Sequence, residues 1–333
     1  MLIVGVHCRT SLHWPSDSWI NKILTFGLDS STILFVFVSG FLFQHLNANQ
    51  FNFNDYIIKK LKYVILPYVL ISIPAIVDKL FFEKNAVWMT SFYQDLPLPI
   101  QAVYLLATGK HSGPFYFIPM IAIVYCLSPL LFQLQKQKSF RWTGLGISIM
   151  GLFTYAYGYY GNILESLLYF LPVYIFGMWA SKNKGAILHI GKEYLVGLVL
   201  IYVALLSFEV VGIIKPQHLQ FFETAPNYFT TTFNISKLKE MLLAIILLTT
   251  FYRFREQKFP SLMLLGSYSF GIYFVHIYFI NAVERLMDYV SFSRLQNGWG
   301  YLLFVCTIIG LSTSTVWLIK KVSKERSRLL IGS

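Results

Sequence analysis

Apolar residues make up 56% of the 333-residue chain and charged residues only 13%, against about 25% charged in ordinary soluble domains. Soluble domains of this length would lack half the polar surface they need, so the composition excludes them and specifies a polytopic membrane protein. The formal charge of +12 does not point to nucleic acid, because no basic domain stands apart from the apolar runs. Basic loops on one membrane face account for its sign.

A membrane-spanning helix needs about 20 mostly apolar residues. Nine segments meet that requirement, at 30–46, 62–82, 114–134, 142–159, 164–181, 194–214, 238–252, 262–283 and 299–319. A tenth is signalled by MLIVGVHC at 1–8, which at about 12 Å of rise cannot cross a hydrocarbon layer of about 30 Å. The expectation is an all-α, polytopic membrane helix bundle of about ten transmembrane helices. The first is apparently truncated, with the functional chain starting about 10–20 residues upstream of Met1. No cleavable leader is visible, since neither a basic opening nor a small-residue cleavage site is present. The run 98–108 is too short to span and reads as a re-entrant or interfacial helix.

The connections give the orientation. With the chain starting inside, the inner loops 47–61 (with Lys62), 135–141, 182–193, 253–261 and the tail 320–333 hold 17 of the 27 Lys and Arg residues. Every one of these loops is basic, as the positive-inside rule requires. Both termini are therefore expected on the cytoplasmic side of a cell membrane. Cys8, Cys126 and Cys306 lie far apart without a CxxC or a paired His. That spacing argues against a disulfide framework and against a metal site.

Ionisable side chains in apolar segments are functional candidates because burying them in lipid is costly. His7 closes the run IVGVH, where a neutral imidazole could take a proton from a hydroxyl; it could equally be a helix-end residue satisfied by a carbonyl. Ser39 and Gly40 in FVFVSGFLF allow close approach of a ligand or of another helix, and Asp29 is placed to cap that helix. Lys59 and Lys62 in YIIKKLKYVILPY stand one helical turn apart, with Lys60 beside them. Three ammonium groups there suit the phosphates of a nucleotide-bearing donor or simply set topology. SGPFYFIPMIAIVYCLSP carries Pro114, Pro119 and Pro129, tolerated where a cavity or neighbour satisfies the freed carbonyls. LGSYSFGIYFVHIYF carries His276, which reads as a pocket residue or as a structural hydrogen-bonder. Glu165 and Glu209 read as segment-end residues, and the tyrosines of 151–161 as an interfacial belt.

In this order, His7, FVFVSGFLF, KKLKYVILPY, FYFIPMIAIVYCLSP and SYSFGIYFVH resemble the motifs of the acyltransferase-3 family, multispan enzymes that O-acylate surface polysaccharides and other exported acceptors. KKLKYVILPYVLIS is also similar to the branch associated with exopolysaccharide adhesins. The resemblance runs over nearly the whole chain and implies one transmembrane domain over 1–333. It implies an O-acyltransferase with acetyl-CoA as donor and no metal. The acceptor it implies is a hydroxyl of a glycan or lipid-linked saccharide. Membrane lipid and the polysaccharide-synthesis machinery are the implied partners, with no nucleic acid. By resemblance His7 is the catalytic base, and Lys59, Lys60 and Lys62 hold the CoA phosphates. Ser39 and Gly40 line the acyl channel, with His276 at its pocket. Two departures stand out. The Arg that the family places ahead of the His has no counterpart here, and the basic cluster is Lys rather than Arg. Lysine meets phosphate as a point charge, without a bidentate fork. The rival reading is a non-enzymatic polysaccharide exporter or flippase, which would favour inverted repeats with broken helices; none is visible.

Overall fold

A computed structural model describes residues 1–12, 14–15, 18–28, 31–82, 91–154, 163–214, 233–290 and 296–333. Asp29 and the tyrosines at 155, 157, 159 and 160 fall outside them. The described elements are helical: α1 Leu2–Thr10, α2 Trp19–Leu28, α3 Ser31–Asn47, α4 Phe53–Lys60, α5 Leu66–Phe81, α6 Ser91–Gln94, α7 Leu98–Thr108, α8 Phe117–Cys126 and α9 Ser128–Lys136. There follow α10 Phe140–Met150, α11 Ile163–Lys182, α12 Lys184–Leu188, α13 Lys192–Val210, α14 Ile235–Arg253, α15 Pro260–Tyr289, α16 Gly298–Ser323 and α17 Ser327–Ile331.

Six helical stretches among the described residues are long and apolar enough to cross a bilayer: Trp19–Asn47, Phe53–Phe81, Ile163–Lys182, Lys192–Val210, Pro260–Tyr289 and Gly298–Ile331. A seventh is formed if Gly113–Cys126 and Ser128–Lys136, bent by 55° at the break before Pro129, make one span. The expected count of ten is not reached among these residues, for identifiable reasons. α1 has nine residues and α10 eleven. α14 is long enough, but Lys237, Lys239 and Glu240 in its opening turns make it too polar by composition alone. α7 is a short apolar helix, as the sequence suggested. Apolar side chains exposed along the long helices, such as Val196, Leu200, Met263, Leu303 and Val322, fit a lipid-facing surface.

Lipid tails are as apolar as leucine, so helices in a bilayer associate through close packing rather than through the hydrophobic effect. The α3–α11 crossing does this with glycines. A Cβ built on Gly40 would lie 2.0 Å from the Tyr174 carbonyl oxygen, and one on Gly177 would lie 2.1 Å from that of Phe37. The two backbones are thus in direct contact at both points. Around the crossing, Phe37, Ile118, Tyr174, Met178 and Phe274 form the larger core. A second core joins α1, α15 and α16 through Val4, Cys8, Ile272, Phe304, Ile308 and Val316. α15 contributes to both, which makes it the wall between them.

The polar opening of α14 is buried, with both of its lysines held by partners inside the protein. Lys237 Nζ donates to the carbonyl oxygens of Gly151 (2.7 Å) and Tyr169 (2.6 Å) and to Thr154 Oγ1 (3.0 Å), using all three ammonium protons. Lys239 pairs with Glu209, donates to the Phe26 carbonyl, and lies 3.4 Å from Glu240 Oε1. Ser236 donates to the other Glu209 oxygen. Glu209 does close α13, but it is the one buried residue of that helix. Its carboxylate turns inward to lock α13 onto α14, where Lys239 also holds α2 through the Phe26 carbonyl, which corrects its reading as a plain segment-end residue.

Candidate active site

The structure brings the two candidate histidines together from opposite ends of the chain. α1 packs against α2, α3, α15 and α16, and the His7 and His276 ring centres lie 5.4 Å apart. α1 stops just past His7 because the local sequence supplies its own cap. Thr10 Oγ1 and Ser11 Oγ both donate to the His7 carbonyl, at 2.8 and 2.9 Å, satisfying a helix-end acceptor. Arg9 reaches sideways, its Nη1 donating to Asn21 Oδ1 at 3.1 Å, and ties α1 to α2.

His276 is fully buried. Its Nδ1 lies 2.7 Å from the Tyr273 carbonyl oxygen and 3.2 Å from that of Ile272. A carbonyl can only accept, so Nδ1 carries a proton, and in the neutral ring Nε2 is a bare acceptor. That Nε2 is buried without a hydrogen-bond partner among the described residues. An unpaired buried acceptor costs about 1–3 kcal/mol, and this one sits on a ring in contact with His7.

Four of the five motifs converge here. Tyr273, one turn before His276 and 6.2 Å from it ring to ring, donates its hydroxyl to the Pro114 carbonyl at 2.6 Å. Phe35 and Phe117 pack on Tyr273, each with ring centres 6.3 Å away. The remaining motif, KKLKYVILPY, leads to a cavity of about 1040 Å³ lined by Lys59, Lys60, Tyr63, Tyr125, Phe270 and Arg328, among others. Asp55 is the sole carboxylate among the described residues lining it. Lys60 Nζ lies 4.8 Å from the Tyr125 ring centre and 5.2 Å from that of Tyr56.

α15 links cavity and histidines. Phe270 lines the cavity and stacks on Tyr273 (6.1 Å, 9° between planes), and Tyr273 adjoins His276. Phe270 to His276 is six residues, about 9 Å of helix rise.

The other predicted residues are placed as follows. Lys62 is not among the residues lining the cavity; it lies over Tyr63, 5.4 Å from the ring centre. A π-helical turn occupies Leu61–Ile65, where the Leu66 N–H bonds to the Leu61 carbonyl five residues back. Positions three apart already stand about 60° apart around a helix axis, and here Lys59 lines the cavity while Lys62 does not. Gly40 is taken up by the α3–α11 contact, and Ser39 is half-buried beside it. Neither lines the lysine cavity.

Sequence reasoning passed over His111. It sits between α7 and the turn at Gly113–Tyr116, buried, with Nδ1 2.9 Å from the Leu105 carbonyl and Nε2 2.8 Å from Ser72 Oγ. Burial holds its pKa down at about 4, so it is neutral at pH 7 and both nitrogens are committed to structure. No group of three or more His, Cys, Asp or Glu side chains able to hold a metal occurs among the described residues.

These features define a multi-pass helical membrane protein with a histidine pair between its helices, His276 fully buried and His7 half-buried, and a basic, aromatic cavity one helix segment away. The model of the acyltransferase-3 family, described as an acyltransferase domain, matches residues 1–320. The chain belongs to that family and is a membrane acyltransferase. No curated protein and no solved structure matches it. Family membership also decides against the exporter reading in favour of an enzyme.

Proposed function

We propose that this acyltransferase moves an acetyl group from acetyl-CoA to a hydroxyl of a cell-surface or lipid-linked polysaccharide, in a cell membrane with both termini cytoplasmic. The observation that carries the reading is the continuity along α15, from Phe270 in the wall of the lysine cavity to His276 beside His7. The CoA phosphates sit against Lys59 and Lys60, and the thioester reaches toward the histidines. His7 takes the proton of the acceptor hydroxyl as its oxygen attacks the thioester carbonyl. The C–S bond breaks, and the proton passes to the departing thiolate. The ester remains on the acceptor and CoA leaves. His276, through its contact with His7, positions that imidazole.

The test is on the donor side. Each charge-assisted contact is worth about 1.5–3 kcal/mol, so replacing both Lys59 and Lys60 with Gln should raise the apparent KM for acetyl-CoA at least about tenfold. The orientation of the variant is checked by protease accessibility, since loss of two inner charges weakens the topology signal. An unchanged KM in correctly oriented protein would reduce these lysines to topology determinants. Release of acetylated glycan, identified by mass spectrometry, tests the acceptor.

A further inference from the structure

The lysine cluster leaves one problem open: a phosphate-binding site without a guanidinium has no planar fork to fix the phosphoryl group. The fold supplies one from elsewhere. α17 packs on α5 and on the π-helical turn that follows Lys60, and it carries Arg328 into the same cavity as Lys59 and Lys60. The guanidinium carbon stands 4.2 Å from the Tyr63 ring centre, a cation–π contact that holds the fork over an aromatic face. Arg328, Lys59 and Lys60 are gathered around a cavity whose described lining holds a single carboxylate, Asp55.

α17 is fixed in place by specific contacts. Ser333 Oγ accepts from the Gly271 N–H of α15 at 2.7 Å, and Ser327 Oγ donates to the Ser333 carbonyl at 2.9 Å. Between them Gly332, at φ +71°, lets the chain turn against Phe270; a Cβ there would lie 2.2 Å from that ring. The short helix that bears Arg328 is therefore anchored to the helix that carries His276. Arg328 lies beyond residue 320, where the family match ends.

We propose that Arg328 is a phosphate ligand of the acyl donor, supplying the bidentate contact that Lys59 and Lys60 cannot make, so that α17 is part of the donor site. This rests on the nucleotide-donor reading above. A cavity of this chemistry would equally take the phosphate of an anionic lipid, and the experiment separates the two. Full-length protein in nanodiscs of zwitterionic lipid is titrated with CoA and assayed with acetyl-CoA as wild type, R328Q, R328K, R326Q and the Lys59/Lys60 double Gln variant.

Arg328→Gln should weaken CoA binding and raise the donor KM at least about tenfold with little change in kcat. Arg328→Lys should recover only part of the loss, because it restores charge without the fork. Arg326→Gln, an exposed charge change two residues away, should behave as wild type. The assignment is overturned if Arg328→Gln binds CoA like wild type while the lysine variant does not. It is equally overturned if Arg328→Gln loses only co-purifying anionic lipid. If neither variant changes CoA binding, the donor reading falls with it.

Discussion

His7→Ala should lower acyl transfer by at least about a hundredfold, the lower end of what a positioned acid–base group contributes, while the protein still inserts and folds. The assay that separates catalysis from transport follows both polymer and modification: polymer should reach the surface, no longer acylated. His276→Phe keeps a ring at the same buried position but removes the Nε2 acceptor facing no partner among the described residues. It should lower kcat less than His7→Ala, leave the donor KM unchanged and shift the pH profile of kcat. Normal acylation by a well-folded His7→Ala protein would remove His7 from the mechanism.

The largest stability effect is expected at Lys239. Its ammonium sits between Glu209 and Glu240, and all three side chains are about 1% exposed. Lys239→Ala leaves two carboxylates buried without their cation, a change that typically costs about 3–5 kcal/mol. Thermal unfolding in detergent should show a large loss of midpoint. Lys258→Ala, which removes an exposed charge after the same helix, should unfold like wild type. Equal midpoints for Lys239→Ala and wild type would show that the network adds nothing to stability.

Helical membrane architecture was legible in the sequence because it follows from composition and from long apolar runs, which depend on nothing distant. The family was legible because its motifs are local and ordered. What could not be read was which motif residues meet. His7 and His276 were each singled out, yet their ring contact depends on α1 packing into the second core beside α15, and nothing near either residue encodes that. Arg328 counted only as one more inner-face charge until α17 folded back onto the cavity. Glu209 gave no periodic signal, since α13 is apolar on every face and a helix of that kind does not indicate an inward side. Gly40 carried two readings, and the α3–α11 contact accounts for it by helix packing alone. Charged residues at the start of α14 break its apolar run, and they are tolerated there because they are buried and paired inside the protein rather than exposed to lipid.

The π-helical turn at Leu61–Ile65 has one more consequence. Pro67, just beyond it, lacks the N–H that an α-helix would direct back to the Tyr63 carbonyl, and Gly332 packs against that carbonyl. A π turn accommodates one extra residue, and one residue turns an α-helix by about 100°. The turn therefore works as an indexing joint. Both halves of the helix are keyed to the core, one through Tyr68 and Ser72 and the other through Tyr56, whose ring meets Phe43 and Tyr125. A single-residue insertion or deletion at this joint would turn Lys59 and Lys60 around the axis by about 100° only by breaking the Tyr56 contacts, so the angle at which these lysines meet the cavity is held by the core itself.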